Sequence, residues 1–165
     1  MLTLESLNLN KPLSVFLAIG LAEKALPVWE EKYPEDMRPR KAIEAAKEWL
    51  KNPSDVHAVA AASAASAAHA AASAARAAAN ATAAAAAAAY AAHAVANAHA
   101  AAHAVAHALG VDRKILIHEV ILENLDWILQ YKIDNGQNFA QPELILGIIN
   151  KEQADKFLFN LEALR

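Results

Sequence analysis

The sequence contains no cysteine, which removes disulfides, thiolate catalysis and cysteine-ligated zinc from consideration. Only four glycines occur in 165 residues, and neither glycine nor proline lies between Pro53 and Gly110. That stretch therefore lacks the residues that ordinarily punctuate helices and build turns. It also lacks charge: Asp55 and Arg76 are the only charged side chains of residues 53–110. Large aromatics are few, and Trp29, Trp49 and Trp127 are read as core anchors.

Charge of one sign is missing as well. The net charge is −3, with eight acids and eight bases in residues 1–52 and nine acids and six bases in residues 111–165. No basic stripe exists, which argues against phosphate-driven binding of nucleic acid. The mild acidity suits a basic partner. The start, Met1-Leu2-Thr3-Leu4-Glu5, has neither a basic n-region nor a cleavable apolar stretch, so no signal peptide is expected. The uncharged run between Arg76 and Asp112 is long enough to span a bilayer. Alanine is barely apolar, however, and Asn80, Asn97 and four histidines interrupt the run, so no membrane span is expected there.

What the chain has in abundance is alanine, 35 of the 51 residues from 58 to 108. Alanine has the highest helix propensity of all residues, so this stretch is read as helix. A single helix between Pro53 and Gly110 would be about 85 Å long at ~1.5 Å per residue. That exceeds a compact domain of this length, so the helix must break, and Asn80-Ala81-Thr82 is the weakest point. Asparagine tolerates a left-handed C-terminal position and threonine can cap the following helix. Methyl-sized side chains let helix axes approach closely, which favours an antiparallel pair.

The flanks also read as helices. Pro12 suits a first turn ahead of Leu13, Val15, Phe16, Leu17, Ile19 and Leu21. Pro27 kinks or restarts that helix. Asp36 is a plausible cap for a second helix, whose Ala42, Ile43, Ala46, Trp49 and Leu50 share one face and which ends near Asn52-Pro53. Gly110 closes the second alanine helix. Residues 112–132 form one bulky helix and Asn135-Gly136 a turn. Pro142 opens a short helix to Ile149, and Asn150 with Gln153 caps a last one to about Leu164. The fold class expected is all-α: a compact multi-helix bundle around a central alanine-rich antiparallel helix pair. A length of 165 residues suits a single domain, with N-terminal helices over 1–52, the alanine-rich pair over 53–110 and C-terminal helices over 111–165.

Two segments carry a resemblance. The first is Leu26-Pro27-Val28-Trp29-Glu30, then Tyr33-Pro34-Glu35-Asp36, then Arg38-Pro39-Arg40-Lys41-Ala42-Ile43-Glu44-Ala45-Ala46 and Trp49-Leu50. The second is the alanine-rich pair ending Ala98-His99, His103 and His107-Ala108-Leu109-Gly110. Over roughly residues 20–130 the chain resembles the alanine-rich immunity proteins associated with bacterial polymorphic toxin systems. The resemblance implies an intracellular, cytoplasmic protein that neutralises a protein toxin by binding it. It supplies no catalytic residue.

Two constellations could carry function. Glu30, Tyr33, Asp36, Arg38, Arg40 and Glu44 are candidates for partner contact, because arginine forks bind carboxylates in two parallel bonds. The plainer reading is a local network tying the second helix's start to Glu30 or Glu35. His99, His103 and His107 recur every four residues, so neighbours share a helix face. An i, i+4 pair can chelate zinc or copper. The outer two stand roughly 12 Å apart at ~1.5 Å rise per residue, so a metal site would need His93, His69 or another helix. The plainer reading is a polar stripe, and no metal, cofactor or catalytic residue is expected. Ser63, Ser66 and Ser73 lack a nucleophile motif. A helical interaction or oligomerisation module unrelated to toxins, with this chain as its own partner, is the alternative function. A histidine-ladder metal binder comes third.

Overall fold

The computed structural model describes residues 1–74, 86, 89, 98–141 and 145–147. Six α-helices are described: α1 Lys11–Lys32, α2 Arg38–Lys51, α3 Asp55–Ala74, α4 Ala98–Leu109, α5 Arg113–Glu123 and α6 Leu125–Asp134. A short 3-10 helix, Glu5–Leu7, precedes them. No strand occurs among the described residues, and the fold is all-α. The chain divides into two compact units, Asn10–Leu116 and Met1–Leu9 with Ile117–Arg165, so the boundary falls inside α5.

Within the larger unit, caps set the helix ends. Asn10 accepts from the Leu13 N–H at 3.0 Å, and Pro12 sits in the first turn of α1. Pro27 lies inside α1, which is continuous through Lys32 rather than restarting. The expected cap of α2 shifts by one residue. Met37 occupies the cap position, while the Asp36 carboxylate accepts from the Arg38 N–H at 3.1 Å. Ser54 starts α3, its hydroxyl accepting from the His57 N–H at 3.3 Å. Gly110 closes α4 with φ +66°, and the Val111 N–H reaches back to the Ala106 carbonyl at 3.1 Å. That six-to-one bond is a Schellman closure, which needs the left-handed conformation glycine tolerates.

α1 is buried nearly all round, with Leu13, Val15, Leu17, Ala18, Ile19, Leu21, Ala22, Ala25, Leu26 and Trp29 inside. A helix apolar on every side belongs at the centre. α1 is also long and apolar enough to cross a membrane. Its apolar residues are instead covered by α2 on one side and α4 on another. α3 lies against α2, burying Ala61, Ala65 and Ala68. α4 buries Ala101, Ala102, Val105 and Ala108. The described alanine helices thus flank the α1–α2 hairpin. The expected reversal at Asn80–Thr82 lies outside the described residues.

The smaller unit departs from expectation in two places and adds a third feature that was not foreseen. The bulky helix read over 112–132 is two helices. They break at Asn124, whose side-chain amide donates to the Val120 carbonyl at 2.8 Å. Trp127, read as a core anchor, is 40% exposed, whereas Trp29 and Trp49 are buried. Lys132 is completely buried. Its Nζ donates to the carbonyls of Asn8 (3.0 Å) and Asn138 (3.2 Å) and lies 5.2 Å from the Phe139 ring centre. It thereby ties the N-terminal segment to the loop after α6. That segment is held further by Leu2 N–H to His118 Nδ1 (3.1 Å) and Ala140 N–H to the Ser6 carbonyl (3.1 Å). The Asn135-Gly136 turn is present, with Gly136 at φ +60°. The helices read from Pro142 onward lie outside the described residues, apart from 145–147.

Burial pushes the Lys132 ammonium below its ordinary value of 10.5. The folded state therefore sheds this proton first. Between the lowered value and 10.5 the unfolded chain binds more protons, so stability rises with pH across that window. Chemical denaturation of wild type and Lys132→Met between neutral pH and pH 10.5 is expected to show this rise only in the wild type. Lys132→Ala, which removes the donor from two part-buried carbonyls and empties a buried position, is expected to cost about 2 kcal/mol at neutral pH.

Candidate functional site

The residues singled out for partner contact meet at the corner between α1 and α2. Four residues make the corner: the Asp36 N–H donates to the Tyr33 carbonyl at 3.0 Å, closing a turn with Pro34 in its second position. Pro34 pre-sets the backbone angle such a turn requires. The Trp29 indole N–H donates to the Asp36 carbonyl at 2.9 Å, and the Tyr33 ring lies 4.6 Å from that of Trp29. A buried tryptophan is thus satisfied by the turn it supports.

Both arginines are engaged in forks. Arg38 Nε and Nη2 donate to Asp36 Oδ1 and Oδ2 at 2.8 and 2.5 Å. Arg40 Nε and Nη2 donate to Glu30 Oε1 and Oε2 at 2.7 and 2.8 Å. Local electrostatics favour these pairs. Glu30 sits near the carbonyl end of α1, and both arginines lie in the first turn of α2, so each charge opposes the dipole of its own helix. Pairing relieves both. Lys47 donates to Glu23 at 2.5 Å on the same hairpin. The pairs 30–40 and 23–47 are both symmetric about residue 35, as an antiparallel register requires. The fork with Arg38 holds the Asp36 carboxyl below its ordinary 3.8.

The six candidates divide accordingly. Glu30, Asp36, Arg38 and Arg40 form the local network, with Glu30 rather than Glu35 as the acceptor from Arg40. Tyr33 is half-buried against Trp29. Glu44 is exposed and joins neither fork. Of the histidines, His103 and His107 are exposed on α4. His99 lies in its first turn, and His93 and the side chain of His69 lie outside what is described. Among the described residues no three metal-ligating side chains converge.

Residue-level reading missed the exposure of Trp127 and the burial of Lys132. A signal for the first was present: Glu123, Asp126, Gln130 and Asp134 stand one turn apart, and at ~100° per residue they share the side of the helix that Trp127 borders. Nothing in sequence marks Lys132, because its partners are backbone carbonyls, one in the loop six residues on and the other 124 residues away.

Fold and corner together define an all-helical scaffold whose most conspicuous polar cluster is neutralised internally. A family model described as "Imm-5 like putative immunity protein" matches residues 10–110. The chain belongs to that family. The match begins where the larger unit begins, at Asn10, and ends six residues short of its last, Leu116. No curated protein and no solved structure matches the chain.

Asp36 has a lowered folded value, so its contribution to stability is present above 3.8 and is lost as pH falls through that lowered value. Acid unfolding followed by circular dichroism is expected to be shallower below about pH 4 in Asp36→Asn. A double-mutant cycle on Glu30 and Arg40 is expected to give coupling of about 0.5–1 kcal/mol, the range of partly exposed pairs with good geometry.

Proposed function

We propose that this chain is an immunity protein that neutralises a bacterial protein toxin by binding it directly, in the cytoplasm of the cell that makes both. It performs no reaction of its own. The observation that carries this reading is the family match, which covers nearly the whole of the larger unit. Internal pairing of the corner charges is consistent with it. Arg40 holds α2 to Glu30 of α1 and Arg38 holds Asp36 in the corner, so the corner is framework, and partner contact falls to surfaces around it.

A second reading, a helical module that pairs with its own copy, is favoured by one feature. Val56 and Val59 on α3 are 77% and 70% exposed. Exposed apolar side chains on one helix side are a starting point for self-association.

Co-expression with toxins encoded beside the gene separates the two. Neutralisation by binding is expected to restore growth against one of those toxins and to give a stable one-to-one complex on purification. Failure to rescue growth against any of them, together with a dimer in light scattering that Val59→Asp dissolves, decides for self-association.

A further inference from the structure

α4 is buried on almost every side. Of residues 100–109 only His103 and His107 are exposed, while Ala101, Ala102, Val105 and Ala108 are wholly or almost wholly buried. What this stretch of helix offers to solvent is therefore an imidazole pair. A spacing of four puts both rings on one face, with Cβ atoms roughly 5–6 Å apart. Neither ring is tied to another described residue by a hydrogen bond or an ion pair. The other two histidines whose surroundings are described are both engaged. His57 Nδ1 lies 2.9 Å from the Asn52 carbonyl and 3.0 Å from the Ser54 hydroxyl, and His118 Nδ1 accepts from the Leu2 N–H at 3.1 Å. Those rings serve the fold, whereas His103 and His107 keep their nitrogens free.

A neutral imidazole nitrogen is a good ligand for borderline divalent transition metals. Two of them one helical turn apart close a chelate, as the two histidines of H-E-x-x-H do for zinc. An ion with metal–nitrogen distances of ~2.0 Å needs its two nitrogens about 3 Å apart. Exposed, unpaired rings can turn about their side-chain bonds to reach that separation. The helix beneath them need not move, because its buried residues and the Gly110 closure hold it in place. Ligands carried on a packed helix lower the ordering cost of binding. His107 also lies in the last turn of α4, where the partial negative charge of the helix carbonyls favours a cation.

We propose that His103 and His107 form a two-histidine chelate for a divalent transition-metal ion of the copper, nickel and zinc group, with water completing its coordination. Three histidines over two turns cannot close on one ion, but a pair with water needs no third protein ligand. The nearest carboxylate along the chain is occupied: Asp112 accepts from the Lys114 and Ile115 N–H groups at 2.8 and 3.2 Å as the cap of α5. An imidazole pair without a carboxylate discriminates against calcium and magnesium, which take oxygen ligands. It ranks copper above nickel and above zinc. Structural zinc sites close with four protein ligands, so an ion held by two exchanges readily with solution. The site stands on α4 alone and does not depend on the toxin reading.

The experiment is calorimetric titration of the full-length, tag-free protein with copper(II) chloride, and separately with zinc, calcium and magnesium chlorides. Wild type is expected to take up one copper ion ahead of any other, zinc more weakly, and calcium or magnesium not at all. His103→Ala and His107→Ala are exposed changes that leave the packed side of α4 untouched. Each is expected to weaken copper binding at least about tenfold, since loss of a mere outer partner of a metal ligand already costs that much. His57→Gln serves as the control with affinity retained. Electron paramagnetic resonance adds a readout that a structural role would not move. The copper-loaded wild type is expected to show two coupled nitrogens and either variant fewer. Copper is also expected to raise the Tm of wild type and not that of the double variant. Copper binding by the double variant equal to wild type overturns the site. So does binding weakened by His99→Ala but not by His107→Ala, which moves the ion to the preceding pair. Wild type that takes up no copper overturns it outright.

Discussion

Alanine removes little apolar area when it is buried, and the larger unit is organised around that constraint. At about 25 cal/mol per Å² a methyl group stabilises far less than a leucine or tryptophan side chain. Helices as rich in alanine as α3 and α4 form readily, because their propensity is high, but they cannot supply a core for each other. The core is α1, buried on several sides through leucine, isoleucine and Trp29. α2 lies on it, α4 lies on it, and α3 lies on α2. Small side chains then become useful, because they let α3 and α4 approach the hairpin closely. Stability comes from the hairpin and close approach from the alanines.

The hairpin must therefore hold its own geometry, and the corner shows how it does so. Pro34, the Trp29-to-Asp36 bond and two arginine forks act at one point of the chain. The Glu30–Arg40 fork joins charges that are individually misplaced on their helices, and Asp36 offsets the misplaced charge of Arg38 at the start of α2. The unusual D-x-R-P-R pattern is explained by this arrangement. Asp36 and Arg38 hold each other, Pro39 is buried in the first turn of α2, and Arg40 reaches back to α1.

Legibility in the sequence followed the range of the interaction. Features decided by neighbouring residues were readable. Pro12, Gly110 and Asn135-Gly136 each specify a helix end or turn within a few positions, and the structure has all of them. The α2 face of Ala42, Ile43, Ala46 and Trp49 was readable from its spacing. The cap of α2 was displaced by one residue, because the Asp36 carboxylate serves the Arg38 side chain and backbone together. Features decided by distant partners were not readable. The break at Asn124 interrupts a run that is apolar enough to continue, and Trp127 resembles its two buried counterparts in composition alone. Of the candidate residues, Glu30, Asp36, Arg38 and Arg40 form the local network that was the plainer reading, while the choice of Glu30 over Glu35 emerged only from geometry.

Lys132 connects the interior of the smaller unit to its exterior. An ammonium buried against two backbone carbonyls and an aromatic ring is held at a cost in desolvation, which its lowered proton affinity records. The same burial withdraws positive charge from the surface. Had that lysine pointed outward, it would stand among the carboxylates of α5 and α6 and offset one of them. Turned inward, it secures the N-terminal segment to the loop after α6. The charge that solvent meets is thus a product of the fold as well as of composition, because the fold decides which side chains are exposed.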